Sequence, residues 1–188
     1  MRQATMLTMA LLFALPASGS PDRGKIVQFS MGGDIRLDSA PDGASVRTMG
    51  GDIVIRRAGG RVLAKTMGGD IEIRQADGSL EAGTMGGSVD VEVIGSATGR
   101  EIRIGTMGGN IEVTFPSDFQ GEFDVKVERD PDDEPVRIDS DFPLQLREST
   151  TRHFFQKRTV ISGAGRSGAG GNRVRITAIG GNVVLRKR

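Results

Sequence analysis

Asp34, Asp52 and Asp70 stand 18 residues apart, each directly behind a Gly-Gly pair. Ser88, Asn110 and Asn182 hold the same place in further copies of the phrase. Three carboxylates stacked in one column would suit calcium, a hard cation that takes oxygen ligands. Ser and Asn in the same column argue for another role: they lose the charge but still accept backbone N–H bonds, as a turn cap must. Capping of the Gly-Gly turn is therefore the preferred reading. Asp130, Asp132, Asp133 and Glu134 form a second acidic group, but without the Gly and closing Glu of a calcium loop they read as a solvated turn.

The methionines are as regular. Met31, Met49, Met67, Met85 and Met107 each open a copy of the phrase, and Ile179 opens the sixth. A column of thioethers offers soft ligands of the kind Cu(I) prefers. The chain has no cysteine and one histidine, so nothing of matching softness joins them. Ile179 keeps the packing and loses the sulfur, which favours an adaptable apolar corner filler. Turned outward, the same column would be an apolar ridge for a partner.

The sole histidine, His153, follows Ser149 and Thr150, so a hydrolytic triad can be drawn. No nucleophile elbow accompanies it, and Phe154-Phe155 suggests a packed or surface ring. Gly163 to Gly168 matches the glycine fingerprint of dinucleotide loops. The following segment, Arg173 to Thr177, alternates as a strand, so no helix N-terminus is offered to a pyrophosphate. That stretch reads as a loop. Gly19 to Lys25 nearly spells a phosphate-binding loop, but Ile26 stands where Ser or Thr would hold magnesium. No catalytic residue, no metal site and no cofactor is expected.

The elements that carry these columns follow from the repeat. Counted from the methionine, the copies are spaced by 18, 18, 18, 22 and 72 residues. Since 72 is four times 18, the sixth copy reads as the same rhythm resumed. Two apolar positions follow each Gly-Gly: Ile35 and Leu37, Ile53 and Ile55, Ile71 and Ile73, Val89 and Val91, Ile111 and Val113, Val183 and Leu185. Before it, Val46 and Thr48, Ala64 and Thr66, Ala82 and Thr84, Ile104 and Thr106, and Ile176 and Ala178 alternate with polar residues. Alternation at period two, rich in β-branched residues, means half-buried strands. The second corner of each repeat falls at turn formers: Pro-Asp-Gly (41–43), Ala-Gly-Gly (58–60) and Ala-Asp-Gly (76–78). The 28 glycines rule out a helical reading.

Two strands and two turns in 18 residues cannot bury an apolar face alone, so neighbouring copies must stack. The expected fold is all-β: a single-stranded β-solenoid (β-helix) of roughly 18-residue, two-strand coils about 4.8 Å apart. Inward residues would form ladders of Ile/Val, Thr and Met. The glycines of the corner are expected at positive φ. Lys25 to Ser30 would cap the first coil.

Residues 1–19 read as a secretory signal peptide: Arg2, an apolar run from Met6 to Leu15, and small residues before a cut after Gly19. Ten apolar residues are about half of a membrane span, so no transmembrane segment is expected once the signal is removed. Taking Arg2 from the 25 basic residues leaves 24 against 24 acidic ones. That balance argues against nucleic acid as a partner. From the signal, a periplasmic, secreted or cell-surface localisation is expected. Residues 20–188 read as one domain. Within it, 116–172 form an irregular, insertion-like C-terminal middle segment, with strand-like runs at 122–127, 136–139 and 154–161 and a Gly-rich loop at 163–171.

The Thr-Met-Gly-Gly-Asp-Ile phrases resemble the bacterial adhesin-like family of β-strand-repeat envelope proteins. So does the closing order Phe115-Pro-Ser-Asp-Phe, Asp141-Phe-Pro-Leu, Lys157-Arg158, the Gly-rich stretch, then Val174-Arg-Ile-Thr-Ala-Ile-Gly-Gly-Asn-Val. The resemblance implies a β-solenoid in an exported or envelope protein and brings no catalytic residues with it. The function expected is that of a non-catalytic binding or structural element. Its partner-binding face would carry Arg36, Arg56, Glu72, Arg74, Asp90 and Glu92, and would meet an envelope protein, glycan or lipid headgroup. A second ladder is expected at Arg47, Lys65, Glu81, Arg103 and Arg175. The alternatives are an enzyme acting on envelope polymer with a site in 116–172, and a metal-binding Met ladder.

Overall fold

A computed structural model describes residues 24–130, 134–153 and 156–188, with the side chains of 151–153, 156 and 157 outside that description. The signal reading of residues 1–19 lies outside the described residues, as do Asp132, Asp133, Phe154 and Phe155. Every regular element among those described is a β-strand. In chain order they are β1 (Ile26–Ser30), β2 (Ile35–Leu37), β3 (Ala44–Thr48), β4 (Ile53–Ile55), β5 (Val62–Lys65) and β6 (Ile71–Ala76). Then come β7 (Leu80–Gly83), β8 (Val89–Val93), β9 (Glu101–Thr106), β10 (Ile111–Phe115) and β11 (Gly121–Arg129). The last are β12 (Ile138–Ser140), β13 (Leu144–His153), β14 (Gln156–Ser167), β15 (Asn172–Ile179) and β16 (Val183–Lys187).

They form two sheets. A nine-stranded sheet runs β1-β3-β5-β7-β9-β15-β11-β14-β13, and a seven-stranded sheet runs β12-β16-β10-β8-β6-β4-β2. From β1 to β10 the chain changes sheet at every Gly-Gly corner, so odd strands fill one sheet and even strands the other. Pairing is parallel throughout except where β14 meets β11 and β13. The register keeps equivalent repeat positions side by side: Ile35 with Ile53, Ile53 with Ile71, Ile71 with Val89 and Val89 with Ile111. These residues are at most 1% exposed and belong to one core shared by both sheets. Each such side chain contributes about 1.5–3 kcal/mol by leaving water.

The sixth copy is the first departure from expectation. Ile111 pairs directly with Val183, and Ile104 with Ile176, so the sixth repeat lies against the fifth. The 72-residue interval is therefore one step of the stack, and its being a multiple of 18 is coincidence. The intervening segment lies on the far side of the sixth repeat, where β11 pairs with β15 and β12 with β16. Nor is it irregular. β11, β13 and β14 are among the longest strands described, at 9, 10 and 12 residues.

Phe115, Phe119, Phe123 and Phe142 gather there, all at most 3% exposed, with neighbouring ring centroids 4.5–6.0 Å apart. Large rings close the end because no further repeat supplies an Ile/Val row to cover it. Gly163 to Ser167 lies inside β14, which corrects its reading as a loop. Its glycines make room: a Cβ on Gly163 would crowd the Leu146 methyl, and one on Gly165 would strike the Pro143 backbone.

Candidate functional site

The corner after β3, β5, β7 and β9 is built by threonine. The buried Thr66 Oγ1 donates to the Gly51 carbonyl of the preceding repeat at 2.9 Å and accepts the N–H of its own Gly69 at 3.2 Å. Thr84 repeats both bonds with Gly69 and Gly87, at 2.8 and 3.1 Å. Thr48 and Thr106 do the same one repeat outward on either side. One hydroxyl thus serves a buried donor and a buried acceptor that the turn would otherwise orphan.

The glycines follow from this geometry, and here the expectation of positive φ is corrected. Of the Gly-Gly corners only Gly180 has positive φ, at 72°. The second glycine is required by contact: a Cβ on Gly51, Gly69, Gly87 or Gly109 would run into the backbone of the preceding repeat's glycine. The first glycine has room, since at Gly68 the nearest atom would lie 3.7 Å away. Positive φ belongs to the other corner, at Gly43 and Gly60.

The Asp/Ser/Asn column does cap, but it caps the neighbour. Asp34 Oδ1 accepts the N–H of Asp52 at 3.0 Å, Asp52 that of Asp70 at 2.9 Å, and Asp70 that of Ser88 at 2.7 Å. Ser88 takes Asn110, Asn110 takes Asn182, and Asn182 takes Arg137. Each side chain therefore hands a repeat on to the one stacked against it, and a hydroxyl or amide does this as well as a carboxylate. The bond from Asp52, helped by Arg36, holds the Asp34 carboxyl below its ordinary range. No group of three or more potential metal-binding acids or histidines occurs among the described residues.

Threonine points inward at this corner, and methionine points outward. Met31, Met49 and Met67 are 73%, 44% and 40% exposed, and Met85 and Met107 are half-buried. The buried-filler reading is thereby corrected, because the hydroxyl with two backbone bonds to make takes the interior and leaves the thioether to the surface.

Arg36, Arg56, Glu72, Arg74, Asp90 and Glu92 do share a face. They line the outer side of β2, β4, β6 and β8, with Arg56 one residue past β4. Behind them Ile35, Ile53, Ile55, Ile71, Ile73, Val89 and Val91 are buried. The basic members are matched locally. Arg36 meets Asp34 at 2.9 Å, Arg56 meets Asp38 at 3.1 Å and Arg74 meets Glu72 at 2.6 Å, while Arg188 pairs with Glu92. The Glu72 contact raises the Arg74 pKa. Glu72, Asp90 and Glu112 stand in register on adjacent strands. Desolvation first, then the Glu112 and Glu72 charges, push the Asp90 carboxyl up.

On the nine-stranded sheet the second expected ladder splits into two columns. Arg47 and Lys65 fall in one; Glu81, Arg103 and Arg175 fall in the other. Lys65 is 2% exposed and meets Glu81 at 2.7 Å, so it belongs to the packing more than to the surface. Near the closed end, Glu128 takes Lys126 at 2.6 Å and Arg158 at 2.9 Å. Burial alone would raise its carboxyl, but those two bonds outweigh it and hold the group low.

His153 pairs through its backbone with Gln156, and its side chain lies outside the described residues. Ser149 and Thr150 face Val160 and Thr159 across the same hairpin. Asp130 and Glu134 are exposed. Reading the sequence missed Arg100, which is 5% exposed. Its guanidinium binds the carbonyls of Ile94, Gly95 and Ala97 at 2.7, 2.5 and 3.0 Å. That arginine folds the four extra residues of the one 22-residue repeat into a tight corner, and the length irregularity was the only signal of it. No family model, curated protein or solved structure matches this chain.

Proposed function

We propose that the chain is a single β-solenoid domain of the cell envelope, adhesin-like and non-catalytic, whose work is binding through a flat sheet face. Exported by the signal at residues 1–19, it stacks roughly 18-residue coils into a rod and presents the outer side of the seven-stranded sheet to an envelope protein, glycan or lipid headgroup. The parallel register of equivalent repeat positions supports the solenoid. One observation carries the binding site: Arg36, Arg56, Glu72, Arg74, Asp90 and Glu92 project from neighbouring strands whose other side is core. Such a face gains affinity by adding weak, evenly spaced contacts, so no single side chain dominates.

The test begins with a pull-down of the purified protein from envelope extract, and its partner is then titrated. Reversing Arg56 and Arg74 together to Glu should weaken binding and reduce its salt dependence, because both act through screened surface attraction. His153→Ala should bind as before. If His153→Ala abolished activity and the double reversal changed nothing, an enzyme with its site in 116–172 would replace this reading.

A further inference from the structure

The two ends of the stack are unlike. At one, phenylalanines fill the core, and the outermost strand β13 shows an exposed polar row that includes Gln145, Arg147 and Glu148. Charges on an edge strand guard it against pairing with another chain. At the other end, among the described residues, β1 is the outermost strand and pairs with β3 alone. No charged residue lies within it. Of the six large apolar residues exposed among those described, Val27, Phe29 and Met31 lie at this end, and Met49 and Met67 continue the same corner into the next two repeats. Val27 is 77% and Phe29 64% exposed.

The direction of the backbone groups decides what can join this edge. Ile26 donates its N–H to Gly43, and Ser30 accepts from Met49, so Ile26, Gln28 and Ser30 bond toward β3. Alternation then turns the N–H and C=O of Val27 and Phe29 outward. The methionine column also shows what a neighbour does. Met49 and Met67, each with a repeat on both sides, are much less exposed than Met31, which has a repeat on one side only.

We propose that this open end binds a second copy of the chain, β1 against β1, about a two-fold axis at Gln28. In that register Val27 and Phe29 of one copy face Phe29 and Val27 of the other and exchange both backbone bonds. The same residues pair their apolar side chains on the outer face, so one segment is complementary to itself, as a two-fold interface demands. Met31 falls opposite Lys25 of the second copy, whose methylene stem can lie over it. Lys25 and Arg36 beside Asp34 and Asp42 leave the end without a field of one sign. From strand length and sheet spacing the end measures roughly 17 by 20 Å. That is about 340 Å² of flat area per partner, so the pair is expected to be weak and concentration-dependent. The guarded opposite end stops growth, so the product is a dimer and not a filament.

Sedimentation of the purified protein over the micromolar range tests this. A monomer–dimer equilibrium is expected, with the dissociation constant raised roughly a hundredfold (about 2.7 kcal/mol) by Phe29→Lys or Val27→Lys. Both side chains are exposed, so unchanged far-ultraviolet circular dichroism should accompany the loss. Leu146→Lys, at the guarded end, should leave the dimer intact. Since the chain has no cysteine, Gln28→Cys places one thiol per copy at the axis. A non-hydrogen-bonded antiparallel pair brings the two Cα atoms to about 4.5 Å, within disulfide reach. Diamide should then give a covalent dimer that Glu112→Cys does not. Monomer throughout, a dimer that survives Phe29→Lys and Val27→Lys, or no cross-link at Gln28→Cys would each overturn the proposal.

Discussion

Thr66→Val removes one hydroxyl and almost nothing else. Thr66 is 0% exposed, and its Oγ1 joins the Gly51 carbonyl at 2.9 Å to the Gly69 N–H at 3.2 Å. Both glycines are buried, so water cannot replace the lost partner. An unsatisfied buried group costs about 1–3 kcal/mol, and two are created, so a loss of about 3 kcal/mol is expected. Thr66→Ser keeps both bonds and gives up a methyl, a loss of about 1 kcal/mol. Ser30 already fills this position in the first repeat, accepting the Gly33 N–H at 2.9 Å. Urea unfolding followed by circular dichroism would separate them: the midpoint should fall about three times further for Val than for Ser, with unchanged slope. Equal losses would mean that the corner is held by packing, and the hydrogen-bond argument would fail.

Two more expectations concern stability. Gly69→Ala should destabilise by about 3 kcal/mol or more, since its Cβ meets the Gly51 backbone, while Gly68→Ala should stay within about 1 kcal/mol; similar thermal midpoints for both would refute the stacking argument. Asp90→Asn should stabilise at neutral pH by about 0.5 kcal/mol, because it relieves repulsion with Glu72 and Glu112 on an exposed, screened face. A carboxyl raised by folding costs stability only once it is ionised. The gain should therefore vanish as pH falls through the carboxylate range, and a gain that persisted in acid would point to another cause.

The sequence alone determined the period, the alternation and hence which residues are core. Ile35, Ile53 and Ile71 recur at a fixed spacing, and side-chain direction in a strand has a period of two. It also placed Arg36, Arg56, Glu72, Arg74, Asp90 and Glu92 on one face, because a register that aligns the isoleucines aligns the residues between them. Parity could not decide what happens at corners, where Thr66 and Met67 are adjacent and only one can turn inward. The tertiary structure decided that through two backbone groups needing a hydroxyl. Nor could spacing along the chain report spacing in space. A parallel strand accepts its neighbour from any distance in sequence, so Val183 stacks on Ile111 while the segment between them is set outside. Arg100 was hidden for the same reason: its hydrogen-bond acceptors are carbonyls, and a carbonyl is present at every residue until the fold turns three of them toward one point.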